Sequence, residues 1–90
     1  MIEKKSSDKN EITGAQIRAA RALVRWSAKE LASAANIGVA TVSRAEVEDG
    51  RPTVTSANLK AIQVALETAG IEFIPVNGGG VGVRFRIADK

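Results

Sequence analysis

The sequence predicts a mainly α fold, four to five short helices followed by a C-terminal β-hairpin. Three observations carry this prediction. Apolar residues recur at helical spacing between Ile17 and Leu66, two Ser/Thr-x-x-Glu/Gln patterns mark helix starts, and the apolar period shortens to two after Gly70. Ninety residues suit one small domain, which buries only about 60% of the surface its unfolded chain exposes.

Residues 1–11 read as a flexible N-terminal arm, rich in lysine and serine and without periodicity. Thr13 stands three residues before Gln16, a capping-box spacing, so a first helix runs from Thr13 or Gly14 to Arg25. Its inward stripe is Ile17, Ala20, Leu23 and Val24, with Arg18, Arg25 and Arg21 toward the margins. Ser27 and Glu30 repeat the capping box, and Ala28, Leu31, Ala32 and Ala35 give the second helix a narrow apolar face. A face made mainly of alanine lets two short helices cross closely. Asn36-Ile37-Gly38 then makes a tight reversal, since Asn and Gly tolerate left-handed backbone and Ile37 pins the turn inward.

A third helix spans Val39 to about Val47, with Val42 and Ala45 inward, and Asp49-Gly50-Arg51-Pro52 ends it. A fourth begins near Ser56 and reaches Thr68 or Ala69. Its stripe is Leu59, Ile62 and Leu66, joined by Val64 or Ala65, and Gly70 is its C-cap. Beyond it, Ile71 to Pro75 and Val81 to Ile87 read as strands around Asn77-Gly78-Gly79-Gly80. Val83, Phe85 and Ile87 share one side of the second strand, and Arg84 and Arg86 the other. Two strands alone are marginal, so the hairpin packs on its own helices, pairs with a second copy, or does both.

Several function classes are disfavoured by composition. The chain has no cysteine or histidine, which removes thiolate and imidazole metal sites and the catalysis built on those groups, and fits a reducing, cytoplasmic setting. No apolar run reaches the ~20 residues of a membrane span, and the N-terminal stretch is too polar for a signal peptide. The acids are scattered. Gly78-Gly79-Gly80-Val81-Gly82 lacks the Lys-Ser/Thr of a phosphate loop and precedes a strand, so no enzyme and no cofactor is expected. The net charge of +3 is local: residues 1–11 and 61–90 each balance, and the excess lies in 12–60 with Arg18, Arg21, Arg25, Lys29, Arg44, Arg51 and Lys60. Such a surface is what a phosphate-contacting module needs, although an ordinary solvated face has the same composition.

Taken together, Ile17-Arg18-x-x-Arg21, Ser27-x-x-Glu30-Leu31-Ala32 and Ile37-x-x-x-Thr41-Val42-Ser43-x-x-Glu46 resemble the phage-repressor-like (Cro-like or XRE-like) helix-turn-helix DNA-binding family, over about Ile12 to Leu66. The resemblance implies a repressor-like helix-turn-helix bundle, with residues 12–69 as the DNA-binding domain and 70–90 as a hairpin that is a candidate dimerisation element. It also implies a structural salt bridge between Arg21 and Glu46, a small residue at Ala32 where the second helix meets the third, and core roles for Leu31, Ile37 and Val42. The chain departs from the family at Ala28, where glutamine is common, at Arg25-Trp26, where Gly-Leu is common, and at Gly38, where Ser or Thr caps the third helix. Trp26 then reads as a lid on the core between the first two helices, in preference to a stacking platform.

The third helix is expected to present Val39, Ala40, Ser43 and Arg44 to bases in the major groove, where Arg44 can meet guanine O6 and N7 and the apolar pair a thymine methyl. Arg44 on the backbone or in a solvent ion pair is the competing reading. Ser27, Ala28 and Lys29 at the second helix's N-terminus, with Thr41 and Arg51, are the expected phosphate contacts. Arg84 and Arg86 join them only if the tail lies near DNA. That is a thin reading surface, so specificity calls for two copies on a palindromic site. The function expected is a sequence-specific regulator of transcription, a dimeric repressor whose partners are double-stranded DNA and a second copy joined through residues 71–87. The alternative is an antitoxin-type DNA-binding protein whose tail also holds a partner protein.

Overall fold

A computed structural model describes residues 11–87 of the chain. Four helices are followed by a two-stranded antiparallel sheet: α1 (Gly14–Val24), α2 (Ala28–Ala35), α3 (Val39–Glu46), α4 (Ser56–Thr68), β1 (Ile71–Ile74) and β2 (Gly82–Phe85). Residues 1–10, most of the expected N-terminal arm, lie outside the described range. No helix among the described residues is long and apolar enough to cross a membrane.

Local chemistry sets the helix ends. Thr13 and Gln16 cap α1 reciprocally, and Ser27 and Glu30 do the same for α2, each pair satisfying two N–H groups that a helix start leaves orphaned. Both helices stop in the same way, on a residue in the left-handed region: Arg25 (φ 61°) and Asn36 (φ 60°). The following N–H reaches back over the last turn, from Trp26 to Arg21 O at 3.0 Å and from Ile37 to Ala32 O at 3.0 Å. α4 is capped by Thr55, whose hydroxyl accepts from the Asn58 N–H; its C-cap is Ala69 and not the expected Gly70, which follows it with φ 108° and turns the chain into the hairpin.

The core is one cluster drawn from every layer: Ile12, Ile17, Ala20, Leu31, Ala32, Val42, Ala45, Leu59, Ile62, Ala65, Leu66 and Ile71. α2 crosses both α3 and α4 on alanine, and the hairpin lies across α1 and the end of α4. β1 and β2 pair Ile71 with Phe85, Glu72 with Arg84, Phe73 with Val83 and Ile74 with Gly82. Gln16 fastens this sheet. Its buried side-chain amide donates to Ile74 O at 3.1 Å and Gly82 O at 2.9 Å, while its Oε1 accepts from the Thr13 N–H at 2.9 Å. One side chain therefore caps a helix and ties down the end of the strand pair nearest the loop.

Some expectations are corrected. Leu23 is not on the inward stripe; it is 38% exposed, because α1 stops one residue later and Val24 takes the packing position. Ala65, and not the exposed Val64, completes the α4 stripe. α3 ends at Glu46, leaving Val47 exposed, and both strands are shorter than their apolar alternation suggests. Only the start of the second strand is covered: Val83 packs on the core, Phe85 is half exposed and Ile87 is 94% exposed.

Candidate nucleic-acid interface

The sequence Val39-Ala40-Thr41-Val42-Ser43-Arg44-Ala45-Glu46 divides α3 into two faces at about 100° per residue. Val42, Ala45 and Glu46 are buried against α1, α2 and α4. Val39, Ser43, Ala40 and Arg44 fall in an outward arc of about 140° and are all exposed, with half-buried Thr41 at its margin. Arg44 leans along its own helix, its Nη2 donating to Thr41 Oγ1 at 3.4 Å. Gly38 gives α3 no side-chain cap; the Thr41 N–H donates instead to the Gly38 carbonyl at 3.1 Å.

How α3 is held is more elaborate than what it displays. Arg21 on α1 grips Glu46 with two prongs, Nε to Oε2 at 2.8 Å and Nη2 to Oε1 at 3.0 Å, and its Nη1 donates to Trp26 O at 3.0 Å. Hydrogen bonding to the Glu46 carboxylate raises the Arg21 pKa above its ordinary value against the opposing effect of burial, with direct charge attraction adding to it. Glu46 is 8% exposed, and the two prongs of Arg21 supply hydrogen-bond partners to both of its carboxylate oxygens. Arg18, one turn earlier on α1, donates to Glu46 O and pairs with Asp49, closing the C-terminal end of α3.

Backbone meets backbone at the same junction. The N–H groups of Gly14 and Ala15, orphaned at the start of α1, donate to Gly50 O at 2.9 Å and Asp49 O at 3.3 Å. Gly14 is there because nothing larger fits: a methyl group would overlap the carbonyl oxygen of Glu48 and lie 2.8 Å from that of Ala45.

The expected phosphate contacts are differently placed. Lys29 is exposed at the start of α2. Ala28 is half-buried on the core, so only its backbone N–H can meet an anion there. Ser27 commits its hydroxyl oxygen to the Glu30 N–H at 3.0 Å, and the Glu30 carboxylate turns back to the Ser27 N–H at 2.7 Å, putting a negative group beside that helix end. Arg51 is paired with Glu11 and must leave it to reach a phosphate. Arg84 is taken by Glu72 across the sheet, and Arg86 donates to Glu67 O at 2.8 Å. Among the described residues Arg25, Lys29, Arg44, Lys60 and Arg86 have no carboxylate partner.

Sequence reasoning missed Gly14, Arg18 and the second task of Gln16. A glycine in the first turn of a helix, where propensity disfavours it, was the available signal for a close backbone approach. Neither the Arg18 clamp nor the Gln16 tether leaves one, because their partners lie 28 or more residues away. Among the described residues no group of three acidic, cysteine or histidine side chains could hold a metal ion. No protein-family model matches the chain, and no curated protein matches its sequence.

Proposed function

We propose that this chain is a sequence-specific, double-stranded-DNA-binding regulator of transcription, a helix-turn-helix protein of the phage-repressor-like kind. It acts in the cytoplasm as a homodimeric repressor, by binding and not by catalysis. The observation that carries the reading is the division of α3: one face is locked to the bundle by Arg21, Arg18 and Gly14, and the other offers Val39, Ala40, Ser43 and Arg44 to solvent as a row. A helix held on one side and open along the other fits the major groove, where arginine distinguishes guanine and small apolar groups distinguish thymine. The α2 N-terminus with Lys29, and Arg25 beside it, supply phosphate contacts that set the register.

A second copy joins through residues 71–87. The sheet has only two strands, so each has an outer edge without a strand partner among the described residues, and Phe85 and Ile87 remain exposed at the end of β2. Two copies related by a two-fold axis read a palindrome with half-sites about one helical turn apart. The test is selection of bound duplexes from a random-site pool at moderate salt, sequenced and paired with sedimentation of protein and complex. A two-fold symmetric site bound by two chains is the expected result. Recovery of random sequence by a single chain would overturn the reading.

A further inference from the structure

One concavity of the described molecule lies away from α3. It is a trough of about 580 Å³ between the end of α2 and the outward face of α4, walled at one side by Trp26 and floored by Ala57, Ala61 and Val64. Lys60 and Thr68 are its polar side chains, and no carboxylate lines it. Lys60 is exposed and has no carboxylate partner among the described residues.

We infer that this trough is a binding site for a small amphipathic carboxylate, an apolar chain or ring system with one anionic head, which lies along the alanine floor against Trp26 and pairs its head with Lys60. Its volume falls in the range of about 300–1,000 Å³ typical of small-ligand sites, which combine an apolar lining with few polar groups. Along α4 the row from Ala57 to Thr68 extends about 16 Å at about 1.5 Å per residue, room for an extended chain of roughly ten carbons. Charge decides the head group: a cation with no internal partner at the rim of an apolar surface is matched by a single anion. A folded protein partner fits less well, because stable protein interfaces use roughly 20–30 residues a side and this surface is confined to one face of α4, the end of α2 and Trp26. A second copy laid α4 against α4 would enclose two Lys60 ammonium groups in one apolar seam with no acid in the trough to pair with either. No residue of α3 lines the trough, so this site stands whether or not α3 reads DNA.

Trp26 is the sole tryptophan of the chain and reports on the trough directly. The experiment titrates the full chain with decanoate, and separately with decanol, following Trp26 fluorescence and the amide shifts of α2 and α4. The expected result is a saturable response to decanoate, with shifts confined to those helices, and binding of decanol about tenfold weaker. Lys60→Met, at an exposed position where the fold is not at stake, weakens decanoate about tenfold and leaves decanol unchanged. Ala61→Phe, which fills the floor, abolishes both responses. Equal binding of acid and alcohol, indifference to Lys60→Met, or a response that never saturates would overturn the assignment. A change in Trp26 emission that follows protein concentration without decanoate would give the trough to a second copy and overturn it equally.

Discussion

The two faces of α3 are built on opposite principles. Its inner face and C-terminal end are over-determined: a two-pronged ion pair from Arg21, the Arg18 clamp on Glu46 O and Asp49, and a backbone approach at Gly14 that admits no side chain. Its outer face makes one long contact, Arg44 to Thr41, and otherwise has no partner among the described residues. The difference teaches that the placement of α3 and the reading proposed for it are separable. Changes on the inner side are expected to alter stability and lose binding uniformly, and changes on the outer side to alter discrimination while leaving the fold intact.

Gly14→Ala attacks the inner side hardest. The added methyl collides with backbone that cannot rotate away, so α1 and α3 must separate, and a loss of about 3 kcal/mol in urea unfolding is expected. Retention of full stability would mean that the junction is looser than described. Arg21→Ala comes next. It strands a nearly buried Glu46 carboxylate and frees Trp26 O; because Arg21 itself is partly exposed, the expected cost is about 2 kcal/mol, below the range for a wholly buried pair. Substituting Glu46→Gln in the same chain should restore part of that loss, which a double-mutant cycle measures directly.

Arg25→Gly sharpens the comparison from the other direction. Arg25 holds a left-handed backbone angle that costs an ordinary side chain about 1 kcal/mol, and its side chain makes no described ion pair. Glycine there is expected to stabilise the fold by up to about 1 kcal/mol while weakening duplex binding and lowering the salt slope by roughly one. The smallest effect lies in the hairpin. Hydrogen bonding from Arg84 lowers the Glu72 carboxyl below its ordinary range and raises Arg84. A carboxyl lowered by folding contributes stability above its unfolded pKa and loses it as pH falls through the folded one. Between about pH 7 and about pH 3 the stability of the wild-type chain should therefore fall slightly more than that of Glu72→Gln, as seen in thermal melts.

The legible parts of the fold were the local ones. Capping boxes at Thr13–Gln16 and Ser27–Glu30, the left-handed Asn36 and the α4 stripe each depend on residues within a turn or two of one another, so sequence spacing contains them. Arg18, Arg51 and the Gln16 amide have partners 28 to 66 residues away, and nothing in their neighbourhood announces those bonds. The strand tail misled for a related reason. Alternation at Val83, Phe85 and Ile87 records two faces but not how far the supporting helices reach, and they stop before Ile87. At the candidate site the outer row of α3 followed from helical periodicity, whereas the pairing of Arg51 and Arg84 depended on tertiary neighbours.

The central claim, that α3 is held by one face and reads duplex DNA with the other, is tested most directly at Arg44. Affinities of the wild-type chain and Arg44→Ala are to be compared over every single-base variant of a selected site at fixed salt, with urea unfolding of both proteins alongside. The account predicts unfolding free energies within about 0.5 kcal/mol of each other and loss of about 1–3 kcal/mol of discrimination at one base pair in each half-site. Affinity lost evenly across all sequences, with discrimination unchanged at every position, would contradict it.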